Sequence, residues 1–464
     1  MRCSKLMKMV AWIVVFTMFL VACGGQPAAP TEVVTEAAPP ETEQMVEEPS
    51  EEPTEEPAAE PTETQPEPAA EPIVLNIMHN WGSDDAKGAP LQSIFQDFMA
   101  ANPDVVIKDE VYLDSDIPLK VETAYAAGQE PELVFVQRAG SVITWTDSGI
   151  TAPVNDYLTE WGFDGKFKEA AISDFTQADG KIQAFPLEGF TWPIWYNTQI
   201  LNDAGAEIPT TTAEMIDVAQ KIRASGNNSP FVVGGADWTG MFFFQLVVES
   251  QLTYDEIWDV MGNGNWSNPN AVKGVELFVK LRDEGVFADG IEGLDFGTMN
   301  EKFFSGEAGM IHAGAWSFGE TPEELLPNIT LGGFPLPEES PYDKPVIYSA
   351  FTAKGIWITR NGLEKIEPIQ RFIQFIYQPE MIARFVEQAG MTPPLKDVPV
   401  DESALNPLFV QSLAFDLDIV PTQDLIVPPK VAPEFERITK EAYIPGTPAE
   451  QILADLTAAY EANE

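Results

Sequence analysis

The stretch 184-AFPLEGFTWPIWYNTQI-200 carries two prolines, Pro186 and Pro193, and neither has a backbone N–H to give to a sheet ladder. An uninterrupted central strand is therefore excluded. The composition predicts an extended segment with a break, the form of a connection that crosses from one lobe to another. Between the prolines stand an acid and two large aromatics, Glu188, Phe190 and Trp192. They suit the wall of a ligand cleft at such a connection. A buried β-segment without a ligand accounts for the same residues, because large aromatics also fill cores.

Outward from this stretch the chain alternates strand and helix. IVLNIM (73–78) reads as a strand and leads into the polar loop HNWGSDDAKG. Leu91, Ile94, Phe95 and Phe98 have helical spacing, and Asn102-Pro103 ends that helix. A strand from Val105, a helix over 117–127 closed by Gly128, and the strand ELVFV (132–136) follow. This order predicts a parallel, doubly wound sheet whose ligands sit beyond the carboxyl ends of its strands. Trp81 to Asp85 and Gln137-Arg138 then share one rim. After the crossing, Thr212 is the expected N-cap of a helix with Met215, Ile216, Val218, Ala219 and Ile222 as its buried stripe.

Several runs resemble bacterial extracellular solute-binding proteins of sugar ABC importers, the maltose-binding-protein-like family. They are ANPDVV (101–106), AAGQEPELVFV (126–136), DSGITAPVNDYL (147–158) and the proline–apolar–Tyr-Asn crossing itself. MNEKFFSGEAGMIHAGAWSFG (299–319) matches that family's pattern at Phe304, Gly306, Ala308, Met310, Gly314 and Trp316. ITLGGFP (329–335) is similar to its second crossing. Glu132, Thr211-Thr212 and Gly309 depart from its usual residues. The resemblance spans nearly all of 73–464. It implies an α/β fold of the type II periplasmic-binding-protein class, two lobes of doubly wound sheet joined by a hinge with a cleft between them. The expected division is 73–189 with 330–378 for lobe one and 190–329 with 379–464 for lobe two.

The front of the chain reads differently. Arg2, Lys5 and Lys8 precede an apolar run, and Leu20-Val21-Ala22-Cys23 has the form of a lipoprotein signal, which predicts a lipidated Cys23 and a signal over 1–23. Residues 24–72 hold 14 Glu and no Lys, Arg or Asp, with repeated Pro, the composition of an extended tether. The whole chain is formally −47, and setting aside those acids and the three signal cations leaves −36 on residues 73–464. Such a body lacks the basic footprint that nucleic acid or an anionic membrane surface requires. The expected location is extracytoplasmic, on a lipid anchor at the outer face of the membrane, as a monomer. The only two cysteines are Cys3 and Cys23, so no disulfide or thiolate site is expected in the body.

Neither His79 nor His312 sits in a ligand-spaced cluster, and no P-loop, GxSxG or dinucleotide fingerprint occurs. No metal, cofactor or catalytic residue is therefore expected, and the protein reads as a binder, not an enzyme. Trp81, Trp192, Trp238 and Trp316 fall beyond strands or at the crossing, where sugar rings would stack. Trp145, Trp258 and Trp357 lie within regular elements and read as structural. The resemblance implies a carbohydrate, of oligosaccharide size, held by these rings with Phe190 and Phe351 and by the polar Asp84, Gln137, Arg138 and Glu188. A membrane permease would receive it. A polyamine or other cation in the same fold, and a surface glycosidase, are the competing readings.

Overall fold

The computed structural model describes residues 71–83 and 85–463. Cys23, nearly all of the tether and Asp84 lie outside the described residues. The strands in chain order are β1 (Ile73–His79), β2 (Val105–Val111), β3 (Leu133–Val136), β4 (Phe185–Trp192), β5 (Ile194–Asn197), β6 (Phe231–Val232), β7 (Met310–His312), β8 (Ile329–Gly332), β9 (Val346–Ile358) and β10 (Asp418–Val420). They form two sheets. The first has the order β10-β9-β3-β1-β2 with β4 also on β9, and the second has the order β6-β7-β5-β8.

β1 pairs in parallel with both β2 and β3, so the loops after His79 and Val136 leave neighbouring strands at the same end. Helices Gly88–Ala101 and Ile366–Ile376 cover one face, where Phe95, Phe98, Phe135 and Phe372 pack ring on ring. Ile117, Val121, Trp145, Phe175 and Trp357 fill the other face. Helix Pro379–Ala389 also packs on Gly88–Ala101, so the expected division at 378/379 falls between two helices that share a partner. Thereafter β10 joins β9, and helices Ala432–Ala442 and Ala449–Glu461 pack on Trp238–Glu249 and Pro269–Asp283, beside the second sheet.

The helix after the crossing starts one residue earlier than the sequence suggested. Thr211, not Thr212, is its N-cap, because Glu214 sits three residues on and closes a capping box. Lys221 and Arg223 in its last turn complement the negative helix end. β9 is a single strand of 13 residues. Gly355 lies inside it because the Phe175 ring packs there: a Cβ at that position would stand 2.5 Å from the ring.

Among the described residues no helix is long and apolar enough to cross a membrane. One buried carboxylate fastens the first sheet. Glu132 accepts from the Asn76 backbone at 2.7 Å and side chain at 2.9 Å, and from Lys365 Nζ at 2.5 Å. It thereby ties β1 to the start of helix Ile366–Ile376. Glu132→Ala leaves the two Asn76 donors unpaired, while the partly exposed Lys365 keeps Val74 O, so it is expected to cost about 1–3 kcal/mol of stability, read as a lowered urea midpoint with an unchanged slope.

Candidate ligand cleft

β4 ends and β5 begins on either side of Pro193. Trp192 is the last residue paired with Tyr348 of the first sheet, and Ile194 is the first paired with His312 and Gly332 of the second. The missing N–H falls where neither ladder needs it. The ladder of β4 also shifts register twice, between Pro186 and Glu188 and between Glu188 and Phe190.

The handover carries an aromatic cluster. The Trp192 ring stacks on His312 at 4.8 Å, meets Phe242 at 4.7 Å and Trp316 edge-on at 4.9 Å. Phe190 reaches Trp316 at 5.6 Å, and Trp238 lies 5.5 Å from Trp192 and 6.1 Å from Trp316. Four of the residues expected from sequence thus come together. Trp192 is 1 % exposed and Trp238 38 % exposed, so the cluster has a buried floor and an open edge. Full burial holds His312 neutral, with its pKa lowered to about 3.

Backbone geometry places the two rings of the open side. Asp237 caps helix Trp238–Glu249 through Thr239, and its other oxygen accepts from the backbone of Phe296, the first residue of helix Phe296–Phe304. Two helix N-termini are pinned by one carboxylate, and Trp238 stacks on Phe296 at 5.6 Å. The Trp316 ring folds back over Gly314, where a Cβ would stand 2.2 Å from it. Any larger residue at 314 would displace the ring.

Beside the rings lies a buried ion pair that sequence reasoning half missed. Glu188 meets Lys87 Nζ at 3.1 Å, and Lys87 stands 5.9 Å over the Trp81 ring. Burial by itself would lower the Lys87 pKa, but the carboxylates of Glu188 and Asp85 outweigh it and raise it. Glu320, at the end of the turn carrying Trp316, is raised by burial and by repulsion from Asp85. That turn also touches the loop after β1, since a Cβ on Gly319 would stand 3.4 Å from Ala86 Cβ. Trp81 itself is core, packed against Phe135 and Phe385 under Lys87, and does not join the other three tryptophans. Lys87 had one available signal, a lone cation two residues after Asp84-Asp85.

A second group surrounds Arg138. Its backbone N–H donates to Thr352 O at 2.9 Å and its Nε to Gln183 Oε1 at 2.8 Å. Burial lowers the Arg138 pKa against the pull of Asp174 and Asp424. Asp174 accepts from the Phe351 backbone at 2.7 Å, and the Phe351 ring packs on Gly189. Asp424 is pushed up to about 7 by burial, with Arg138 opposing. Gln137 is exposed beside this group. Asp174 and Asp424 had no motif to mark them among so many acids. The buried Trp192 Nε1, Ser317 Oγ and Thr352 Oγ1 have no hydrogen-bond partner among the described residues. No group of three metal-ligating side chains occurs among those residues.

A cleft wall built where one strand passes between two α/β sheets can be compared with known proteins. The sequence profile of the bacterial extracellular solute-binding proteins matches residues 82–383. The chain belongs to that family. A probable secreted solute-binding lipoprotein from Streptomyces coelicolor is 33% identical, with 84% of this chain and 99% of that one superposing at a TM-score of 0.75. The maltotriose-binding protein of Pyrococcus abyssi is 24% identical over 331 residues, 71% of this chain and 68% of its own. The periplasmic sn-glycerol-3-phosphate-binding protein of Escherichia coli K12 is 23% identical over 328 residues, covering 68% and 73%. As in the family's solute-binding relative from Streptomyces, the fold is the two-lobe α/β periplasmic-binding type.

Floor and edge of the cluster should separate in stability. Trp192→Ala is expected to cost about 3–5 kcal/mol, and Trp238→Ala under about 1 kcal/mol, in denaturant titrations. Equal losses would show that the exposed ring is as much core as the buried one.

Proposed function

We propose that this solute-binding protein captures a carbohydrate of oligosaccharide size between its lobes and delivers it to an ABC-importer permease. The observation that carries this is the aromatic cluster at the strand handover, with Trp238 open and Trp192 beneath. Sugar rings present C–H faces to aromatic rings and hydroxyls to fixed polar groups. The relative that binds maltotriose supports the sugar class.

On this reading Trp316 and Trp238 stack on the ligand, Phe190 and Trp192 form the floor, and Lys87 and Glu188 supply polar contacts. Arg138, Gln137 and Phe351 line the rim from the first-sheet side. Lobe one comprises the first sheet and its helices, near 73–189 and 330–378, and it takes in helix Pro379–Ala389 as well. Lobe two comprises 190–329 and the C-terminal helices. Glu188 is committed to Lys87 instead of standing free beside the rings, which disfavours both a polyamine ligand and a glycosidase role for this acid. Ligand contact with both lobes favours the closed arrangement, because a ligand touching one lobe alone shifts nothing.

Trp316→Ala is expected to lower affinity about 5- to 150-fold by calorimetry while costing clearly less stability than Trp192→Ala. The ligand for that titration comes from a thermal-shift screen of mono- and oligosaccharides beside polyamines and glycerol phosphate, since only a ligand of the native state raises the melting temperature. Stabilisation by none of the sugars would overturn the carbohydrate reading and leave the fold untouched.

We also propose that Cys23 carries the lipid that holds the protein at the outer membrane face, with 24–72 as tether. Fatty-acid labelling is expected to mark the wild type and spare Cys23→Ala; equal labelling of both would end the proposal.

A further inference from the structure

The second lobe shows an aromatic pair that the cluster does not use. Tyr254 is 59 % exposed and Trp258 40 % exposed, and their rings meet edge-on at 6.4 Å. Sequence spacing assigned Trp258 to structure, but Ile257, Val260 and Met261 form the buried face here and Trp258, four residues after Tyr254, lies on the open one, at the start of the π-helical turn Trp258–Gly262. Insertions of this kind are over-represented at functional positions. The pair sits on a braced support. Thr253 and Glu256 form a capping box, and the free Glu256 oxygen accepts from Asn270 Nδ2 at 2.9 Å.

This support leads back to the cleft. Gly262 lies against both Trp258 and Ile426, which stand 3.8 and 3.7 Å from where its Cβ would be. Ile426 closes the short helix Gln423–Ile426 that carries Asp424, the carboxylate coupled to Arg138 at the first-lobe rim. Just before it, the fully buried Thr422 Oγ1 and the Gln423 Oε1 have no hydrogen-bond partner among the described residues. Packing thus connects the open aromatic pair, through Gly262 and Ile426, to the helix that carries Asp424.

We infer that Trp258 and Tyr254 form an outer stacking subsite for a sugar unit of a longer oligosaccharide whose inner units occupy the cleft. This rests on the carbohydrate reading above and extends it by naming chain length as what the protein selects. The occupant is a neutral, hydroxyl-rich chain. Asp255 and Asp259 flank the two rings and repel an anionic ligand, while their oxygens accept from hydroxyls. An exposed Trp and Tyr on a rigid support offer large apolar faces at little entropic cost on binding.

The test compares disaccharides with hexasaccharides of the malto, xylo and chito series by calorimetry on the wild type, Trp258→Ala, Trp258→Phe and Tyr254→Ala. For the series that binds, the wild type is expected to hold the hexasaccharide about 10-fold more tightly than the disaccharide. Trp258→Ala and Tyr254→Ala are expected to shrink that gain while leaving disaccharide affinity unchanged, and Trp258→Phe to keep most of it. Tyr254→Ala removes a mostly exposed ring, so it reports on the subsite even if Trp258→Ala folds poorly. A wild type with no gain from length overturns the inference, as does a gain that survives both alanine variants; disaccharide binding then still stands. Binding of no sugar at all removes the carbohydrate reading and the subsite with it.

Discussion

Pro193 cannot donate to a ladder, and the architecture turns on that single missing N–H. On its left, Trp192 is bound into the first sheet through Tyr348. On its right, Ile194 is bound on both sides into the second through His312 and Gly332. The chain thus belongs fully to one sheet and, two residues later, fully to the other. Side chains at the handover have no sheet of their own to lie on. Trp192 fills the gap by stacking on His312, a residue more than a hundred positions away, and Trp316 and Phe242 close around it. A cluster of this kind follows from the strand change itself, since two sheets meeting at one strand leave a space that large rings fill best.

Electrostatics inside the body differ from those of its surface. The exterior is dominated by acids, a formal −36 that favours solubility. Its buried cations are nevertheless each placed against carboxylates: Lys87 against Glu188, Lys354 against Asp114, Arg282 against Asp283, and Arg138 between Asp174 and Asp424. Burying such pairs seldom adds net stability over apolar residues of the same shape. Their value lies in direction. Lys87 and Arg138 are held near the strand handover by elements of the first sheet, and each faces an acid from the crossing strand or from a later segment. An open sheet surrounded by solvated acids would otherwise have nothing positive to present to hydroxyl oxygens.

The crossing was legible because proline is a local fact: Pro186 and Pro193 exclude a continuous ladder wherever the chain folds. The alternation of β1 to β3 with their helices was legible for the same reason, through period and caps. Which tryptophans face the cleft was less so. Trp81 and Trp192 both follow strand-like runs, yet Trp81 turns inward onto Phe385, contributed by a helix some three hundred residues later. No spacing in the sequence encodes that partner. Trp258 went the other way: Ile257, Val260 and Met261 take the buried face of its segment and leave Trp258 beside Tyr254 on the open one. Asp424 was hidden by composition: in a chain with 73 acids, one more carries no signal until burial and a facing cation single it out. Gly355 does not break β9, because it is room for the Phe175 ring.

The turn Ala315–Glu320 is where these constraints combine. Trp316 at its start belongs to the aromatic cluster, Gly319 touches Ala86 of the first-sheet loop, and Asn406 donates to Phe318 O from a later segment. One short turn therefore meets the loop after β1, the crossing strand and the C-terminal return. In a hinged molecule, a rotation of one sheet against the other changes the spacing of Ala86 and Gly319, which hang from different sheets, and the contact of Trp316 with Trp192 spans the same boundary. On the proposed reading, a ligand seated against Trp316 loads the one element that both halves already touch. Its binding energy is then felt as a preference between arrangements, not as affinity for a single wall. Gly314 is what makes this geometry possible: without a Cβ, it lets the Trp316 ring fold back toward the cluster, so that the turn faces the floor of the cleft and the opposing loop at once.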